Sequence, residues 1–267
     1  MEATIRLALF IGIVVIVALM ERLIPRRPRT VDWKRRWGIN ISIFVIDVLA
    51  QRLTIGAAAF ATALYAESHG WGLFNYLDWP FWLEALLAFL VLDFAIYLQH
   101  VLSHALPIFW RLHQVHHADL DVDLTTGTRF HPIEIIVSMI YKAGLVAALG
   151  ANPWVVIAFE VVLNGFAMFT HGNIRMPESL DRALRYLVCT PDMHRVHHSI
   201  IPKETDTNFG NFLSIWDRAC GTMRHAPSKG QFGVELGLAD FRNPEDVSLW
   251  KILLMPFRYL TGRDRQP

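Results

Sequence analysis

Cysteine and charge are both scarce in this sequence of 267 residues. The two cysteines, Cys189 and Cys220, share no CxxC or CxxxC spacing, so neither a disulfide framework nor a zinc ribbon is indicated. We therefore predict two thiols in a reducing environment. Charged residues make up 18% of the chain and the formal net charge is +1, so no global basic field points to nucleic acid as a partner.

Two sequence signatures of enzymes are also missing. The chain has no HExxH motif, which zinc proteases use to hold the metal and supply a general base. It also has no glycine-rich fingerprint for binding a dinucleotide. A zinc protease and a dinucleotide-binding oxidoreductase are therefore not indicated.

Apolar residues are abundant. They make up 53% of the chain and give a mean hydropathy of +0.32, which is too apolar for an ordinary soluble domain of this length. Five apolar runs have the length to enter or cross a bilayer: 3–24, 39–66, 81–106, 133–149 and 154–170. The last two are short and are predicted to form a hairpin that spans or partly enters the membrane. We predict an all-α integral membrane bundle with four to five membrane-embedded helices.

Basic residues set the predicted orientation. Seven arginines and lysines lie between positions 22 and 36, just after the first apolar run, against the acidic residues Glu21 and Asp32. The positive-inside rule places this segment in the cytoplasm and the N-terminus on the opposite side. Following the runs along the chain then places every histidine from 100 to 198 at, or just beyond, a cytoplasmic end of a helix, in a histidine-bearing helical cap of a multi-pass protein.

Histidine is concentrated in one part of the chain, because ten of the twelve lie between positions 100 and 198. HVLSH places two of them one helical turn apart. HQVHH and HRVHH each carry three at positions i, i+3 and i+4, which a helix directs to one side. Neutral imidazole is a good ligand for iron, zinc or copper. These motifs supply the candidate ligands His100, His104, His113, His116, His117, His194, His197 and His198.

Two further histidines stand where the chain is predicted to change direction, His131 in RFHPIE and His171 in FTHGN. Ten imidazoles are more than one mononuclear centre uses, so we predict two neighbouring metal ions. His69 lies on the opposite predicted side of the membrane and His225 lies in the C-terminal tail. We assign neither of them to the site.

The donor types bear on the identity of the metal. Structural zinc normally has four ligands, often thiolates, and this cluster contains no cysteine. Haem held by two histidines in a bundle would place single histidines opposite each other within the membrane, unlike these triplets. A non-haem di-iron centre that reacts with O2 agrees better with the pattern. Two alternatives stay open: a non-catalytic membrane protein that binds or transports a divalent metal, and a zinc-dependent lipid hydrolase.

The motifs HVLSH, HQVHH, RFHPIE and HRVHHS, with TNFGNFLSIWDRACGT, resemble the fatty acid hydroxylase superfamily, which includes sterol desaturases and C4-methylsterol oxidases. The resemblance covers about residues 92–222. It implies a membrane-bound di-iron oxidoreductase that uses O2 to hydroxylate or desaturate a C–H bond of a lipid or sterol-like substrate. It also implies that the eight motif histidines are catalytic iron ligands and that His131 and His171 are additional ligands.

The chain is predicted to be one domain, with N-terminal membrane helices in 1–80, the di-iron core in 81–222 and a tail in 223–267. It carries no cytochrome b5 module, so electrons must come from a separate protein, cytochrome b5-like or ferredoxin-like. Several polar residues are candidates for supporting roles. Asp119, Asp121, Asp123 and Asp192 are candidates for orienting imidazoles, and Arg129, Arg175 and Arg195 for meeting a lipid headgroup or an acidic electron donor.

Overall fold

The computed structural model describes residues 2–77 and 79–258, and these contain α-helices, short 3-10 helices and no β-strand. The longer helices are α1 (Glu2–Leu23), α2 (Trp33–Thr54), α3 (Ala58–His69), α4 (Phe81–Ala105), α5 (Pro107–His117), α6 (Pro132–Leu149), α7 (Pro153–His171) and α13 (Leu249–Arg258). The shorter ones are α8 (Glu178–Leu184), α9 (Pro191–His197), α10 (Pro202–Thr205), α11 (Ile215–Ala219) and α12 (Gly230–Gly233). The 3-10 helices are Leu73–Tyr76, Thr126–Thr128 and Pro244–Val247. The predicted all-α fold is confirmed.

Five stretches are long and apolar enough to cross a membrane: Thr4–Leu23, Trp33–Tyr76, Phe81–Ala105, Pro132–Leu149 and Pro153–His171. The predicted membrane helical bundle is therefore confirmed. At 1.5 Å per residue, α6 and α7 measure about 27 and 28 Å. The hydrocarbon core of a bilayer is about 30 Å thick and helices that span it have about 17–25 residues, so both helices of the predicted hairpin, with 18 and 19 residues, lie at the short end of the spanning range.

The second apolar run was predicted as one continuous segment over 39–66, and the structure differs from this prediction. The structure divides it into α2 and α3, with Gly56 between them at a φ of +55°, a left-handed conformation that ends a helix. The chain after α3 lies against the turn between α6 and α7. A Cβ atom on Gly72 would stand 2.0 Å from the Gly150 nitrogen, so only glycine permits this contact.

A buried ion network ties α2 to the loop after α5. Arg36 donates from Nε to Asp119 over 2.6 Å and from Nη1 to Asp123 over 2.9 Å. Asp121 accepts hydrogen bonds from the backbone N–H groups of Thr30 and Val31 at 2.7 and 2.9 Å. These three aspartates were candidates for orienting imidazoles. The structure instead uses them to fix the α1–α2 connection and α2 against the loop.

Opposite charges compensate the burial of this network. Burial raises the pKa of the Asp119 carboxyl, but the charges of Arg36 and Arg129 and the hydrogen bonds from Arg36 and Thr126 outweigh it, so the pKa lies below its ordinary value. Asp119 is therefore ionised at neutral pH. The loop it belongs to directly follows His116 and His117, so the network also fixes the end of α5.

Candidate metal centre

Nine of the ten predicted histidines meet at one end of the bundle, where they form two groups. The first group contains His100, His104, His113, His117 and His197, and the second contains His116, His171, His194 and His198. Within each group, one ring nitrogen per residue lies within 4.8 Å of all the others. In both groups the donors come from separate chain segments that only the tertiary fold brings together.

The local sequence explains where the histidine-bearing helices α5 and α9 begin. Leu106 is extended, which ends α4, and Pro107 opens α5 at its first turn. His113, His116 and His117 are all buried, as their shared helical face predicts. Helix α9 has the same construction, with Pro191 in its first turn and the Thr190 hydroxyl accepting from the Met193 N–H at 3.4 Å.

Acceptors outside the groups bind the Nδ1 atoms of six of these rings. Glu134 lies 2.7 Å from Nδ1 of His113, and Asp206 lies 3.0 Å from Nδ1 of His104. Backbone carbonyls bind the other four: His100 to Phe209 (2.7 Å), His116 to Arg129 (3.2 Å), His171 to Ala167 (2.6 Å) and His197 to Thr207 (2.8 Å). Because a carbonyl or carboxylate oxygen accepts, each Nδ1 carries the hydrogen. The Nε2 atom then offers a lone pair.

The Nε2 atoms face one another across each group. In the first group Nε2 of His104 and His117 are 3.1 Å apart. In the second, Nε2 of His171 is 3.0 Å from that of His116 and 3.1 Å from that of His194. Two imidazoles at right angles on a metal, each bound at about 2.1 Å, place their nitrogens about 3.0 Å apart.

Several ring nitrogens are buried without a hydrogen-bond partner in the described chain. They are Nε2 of His100, His113 and His197, Nδ1 of His117 and His194, and both nitrogens of His198. Leaving such groups unpaired is costly, and a metal in each group would satisfy Nε2 of His100, His113 and His197 and one nitrogen of His198. Together with the converging lone pairs, these nitrogens mean that the residues present fit two metal ions, one in each group.

Burial also fixes the charge state of the site. It lowers the pKa of five histidines outside the membrane-spanning helices well below the ordinary value of 6.5, and neighbouring imidazoles lower it further. These five are His116, His117, His194, His197 and His198. They are therefore neutral at pH 7, which is the form of imidazole that binds metals.

The lowered pKa values predict that the metal-free protein is unstable in acid. Below about pH 6.5 the unfolded chain takes up protons that the buried rings refuse, so its free energy of unfolding falls as pH falls. Each such histidine contributes up to about 1.4 kcal/mol per pH unit. We expect the Tm of chelator-treated protein in detergent to be constant above pH 7.5 and to drop steeply between pH 6.5 and 5. An unchanged Tm down to pH 5 would contradict the assignment, and His225→Ala, at an exposed site, serves as the control.

His131 is the predicted ligand that the structure does not bring into either group. Its Nδ1 accepts from the Ile133 N–H at 3.2 Å, which caps the start of α6. Its Nε2 lies 3.2 Å from the Leu253 carbonyl oxygen on α13. With both nitrogens occupied in this way, His131 joins α6 to the C-terminal helix.

Two predicted arginine contacts also need correction. Arg129 and Arg195 are each 1% exposed and cannot meet a headgroup or an electron donor. Arg129 donates to the Val115 carbonyl at 2.8 Å, and Arg195 donates to Asp192 at 2.5 Å. Asp192 is thereby committed to arginine rather than to an imidazole. Arg175 is exposed.

Glu134 and Asp206 hold histidines in place, and the sequence analysis did not assign them that role. Glu134 stands three residues after His131, in the quoted motif RFHPIE, so a carboxylate near the cluster was visible in the sequence. Asp206 lies in the turn that ends α10, eight residues after His198 and outside the histidine motifs. The other four acceptors are backbone carbonyls, which every residue has, so the sequence cannot identify them and only the fold reveals them.

A cavity of about 320 Å³ opens from the histidines into the membrane-spanning part of the bundle. His100, His113, His116, His171 and His194 line one end of it. Apolar side chains of α4, α6 and α7 continue the wall, among them Ile96, Met139 and Leu163. A volume of this size is typical of a site for a small organic molecule.

The fold and the two histidine groups define a membrane helical bundle with a candidate metal centre at one end. The sequence profile described as "Fatty acid hydroxylase" matches residues 85–222, about half of the chain and the part that carries all ten predicted ligands. The chain therefore belongs to the fatty acid hydroxylase family, as the motifs predicted.

Curated relatives span several lipid-modifying enzymes. The chain is 29% identical to the ornithine lipid hydroxylase OlsE of Rhizobium tropici, covering 82% of this chain and 66% of that protein. It is 29% identical to the alkylglycerol monooxygenase of Danio rerio (75% of this chain, 43% of that protein). With cholesterol 25-hydroxylase of Rattus norvegicus the identity is 28% (54% and 48%). The chain thus spans less than two thirds of the length of these relatives. No solved structure matches.

Proposed function

We propose that this protein catalyses the O2-dependent hydroxylation of a C–H bond in a membrane lipid at a centre of two iron ions. The observation that carries the proposal is the pair of inward-facing histidine groups at the mouth of a cavity within the membrane bundle. The relatives named hydroxylase or monooxygenase favour hydroxylation over desaturation. The balanced reaction takes the lipid, O2, two electrons and two protons to the hydroxylated lipid and water.

The donor set favours iron over zinc. The first group offers five imidazoles, whereas structural zinc sites use four ligands and catalytic zinc sites use three with an open position. Both cysteines are free and lie outside the two groups, so no thiolate contributes. When bound, the iron ions would supply the reduction of O2 and the oxidation of the C–H bond.

The chain's own residues would orient the ligands and limit the access of water. Glu134 and Asp206 would keep the proton of His113 and His104 on Nδ1, so that Nε2 faces the metal. Eight of the nine histidines are buried, which keeps bulk water from the centre. The apolar part of the cavity would receive the lipid chain and hold the reacting carbon beside the histidines.

Electrons and topology are part of the same proposal. We propose that a separate electron-transfer protein, cytochrome b5-like or ferredoxin-like, reduces the centre, and that the histidine end lies on the cytoplasmic side. The basic segment 22–36 supports this orientation. Arg36 within it is bonded to Asp119 and Asp123, beside the second histidine motif, which places that segment at the histidine end of the bundle.

Metal analysis and oxygen labelling test the proposal together. Protein purified without oxygen should contain about two iron ions per chain. With a chemical reductant and a lipid extract it should consume O2 and, under 18O2, yield a lipid heavier by one labelled oxygen atom. Zinc in place of iron with oxygen derived from water would indicate a lipid hydrolase. Metal binding without any O2 consumption would indicate a binding or transport protein, and either result would overturn the proposal.

A further inference from the structure

The motif TNFGNFLSIWDRACGT, residues 207–222, packs against the first histidine group. The centroid of the Phe209 ring lies 5.1–5.5 Å from those of three rings in that group, His100, His104 and His197. The Phe209 carbonyl oxygen also binds Nδ1 of His100 at 2.7 Å. This hydrogen bond connects the metal centre with the interior of the motif.

The peptide unit between Phe209 and Gly210 joins His100 to a carboxylate. Its C=O group accepts from Nδ1 of His100 at 2.7 Å, and its N–H group donates to Oδ2 of Asp217 at 2.9 Å. The described chain has no cis peptide bond, and the N–H and C=O groups of a trans peptide point in opposite directions. The unit therefore lies between the ring and the carboxylate and is bonded to both.

Further hydrogen bonds hold Asp217 in place, and its side chain is fully buried. Its Oδ1 accepts from the Phe209 N–H at 2.8 Å and from the Thr222 hydroxyl at 2.7 Å. The Tyr97 hydroxyl lies 2.9 Å from that of Thr222, and Tyr97 stands one helical turn before His100 on α4. These bonds form a closed path that leaves α4, passes through the motif and returns to α4.

The charge of Asp217 acts on the peptide unit. Among the described residues, no lysine or arginine forms an ion pair with this carboxylate. Burial raises the pKa of the Asp217 carboxyl, whereas its hydrogen bonds with Thr222, Gly210 and Phe209 lower it. Because donors point at both oxygens, they favour the ionised form. A negative charge at the N–H end of a peptide polarises it and makes its carbonyl oxygen a stronger acceptor.

A stronger acceptor at Nδ1 makes the Nε2 atom of His100 a better metal ligand. This Nε2 is buried without a hydrogen-bond partner in the described chain, and His100 belongs to the first group. The partner of the second ring nitrogen fixes the orientation of a ligating imidazole and raises its basicity. His113 of the same group has a carboxylate directly on its Nδ1, that of Glu134 at 2.7 Å. The peptide gives His100 similar support at one remove.

We propose that Asp217 is a positioning residue of the metal centre, which strengthens metal binding by the first group through the peptide unit 209–210 and His100. This inference rests on the proposed function only in requiring a divalent metal in the first group. Asp217 contacts protein groups alone, and its effect reaches the metal through the ring of His100. The motif 207–222 thereby has a role in metal affinity as well as in packing.

Titration of chelator-treated protein with Co2+, followed by visible absorption in detergent without oxygen, tests the proposal without catalysis. A His171→Ala background impairs the second group, so that the tightest binding reports on the first. Asp217→Asn keeps the size of the side chain and removes its charge. We expect it to weaken Co2+ binding about tenfold, the lower end of the range for partners of metal ligands. An unchanged affinity overturns the proposal.

Asp93→Asn is the matched control. Asp93 is 2% exposed and anchors the same motif, because it accepts from Nε1 of Trp216 at 2.8 Å and from the Leu213 N–H at 3.3 Å. The C=O group of that peptide unit accepts from the Cys189 N–H, not from a histidine. Asp93→Asn should therefore lower Tm and leave Co2+ affinity unchanged. Equal losses of affinity in Asp93→Asn and Asp217→Asn would show a merely structural role.

A double variant tests whether the effect passes through His100. In protein that already carries His100→Ala, Asp217→Asn should not weaken Co2+ binding further, because the path to the metal has been removed. General damage to the motif predicts the same tenfold loss in both backgrounds. Additive losses would therefore overturn the proposal.

Nuclear magnetic resonance tests the path without altering the carboxylate. The dipeptide Phe–Gly occurs twice in the chain, at 209–210 and 232–233. Protein labelled with 13C-carbonyl phenylalanine and 15N-glycine therefore gives two selected amide signals. Zn2+ should shift the Gly210 amide proton to higher frequency in wild type and not in His100→Ala, whereas Gly233, exposed and outside both groups, should be unaffected. A Gly210 signal that ignores Zn2+ overturns the proposal.

These outcomes are independent of the proposed reaction. If the protein consumes no O2 while Asp217→Asn weakens Co2+ binding through His100, the proposed function fails and the role of Asp217 stands. If labelled oxygen enters a lipid while Asp217→Asn leaves Co2+ affinity unchanged, the role of Asp217 fails and the proposed function stands.

Discussion

Replacement of His197 by alanine is expected to abolish turnover and to lower the iron content of the purified protein. His197 belongs to the first group, its Nδ1 is held by the Thr207 carbonyl at 2.8 Å, and its Nε2 is buried without a partner in the described chain. Removing even a group that orients a metal ligand costs ten- to a hundredfold, so loss of a ligand should cost more than about a hundredfold. His116→Ala should act in the same way on the second group.

His225→Ala is the control for both variants. His225 is exposed and outside both groups, so its loss should change neither the iron content nor the rate of product formation. The measurements are iron per chain by elemental analysis and labelled oxygen in the lipid product. Wild-type iron and turnover in His116→Ala and His197→Ala would refute the ligand assignment.

Replacing Arg36 with methionine should have the largest effect on stability. Asp119 and Asp123 are each 1% exposed, and this change would leave Asp123 without its 2.9 Å partner and Asp119 without its 2.6 Å partner. Breaking a buried pair by removing one member costs about 3–5 kcal/mol because a charge stays buried without compensation. For a chain of this size, that loss lowers Tm by roughly 10 °C.

The neighbouring Arg35 provides a matched control for this experiment. It pairs with Glu245 at 2.5 Å, but Glu245 is 75% exposed, and ion pairs on the surface contribute little to stability. Thermal unfolding in detergent should therefore show a large drop for Arg36→Met and almost none for Arg35→Met. Adding Asp119→Asn to Arg36→Met should restore part of the lost stability. Equal Tm values for the two arginine variants would contradict the role of the network.

The sequence predicted the parts of this molecule that depend on periodicity. Apolar length marked the membrane helices, since a span needs about twenty apolar residues wherever it occurs. The i, i+3, i+4 spacing placed His113, His116 and His117 on one buried face of α5. Both signals are local, so a single sequence contains them in full.

What could not be predicted depends on contacts between distant segments. The sequence near Asp119 does not indicate that its partner is Arg36, 83 residues earlier. The carboxylate was therefore assigned to the nearby imidazoles. His131 was counted with the ligands because it stands where the chain is predicted to change direction, yet its contacts with the start of α6 and with α13 determine its position. The division of the second apolar run at Gly56 depends on a backbone conformation that glycine permits but does not require.

The way the two groups share their donors constrains when the centre can form. Helix α9 contributes His197 to the first group and His194 to the second, and it is followed by His198. Neither set is complete until the ribosome has passed residue 198 and the preceding helices have inserted. A nascent chain that stalls earlier presents only partial sets of imidazoles. A metal ion could therefore meet a full set of these ligands only late in the biogenesis of this protein, once residue 198 has been synthesised.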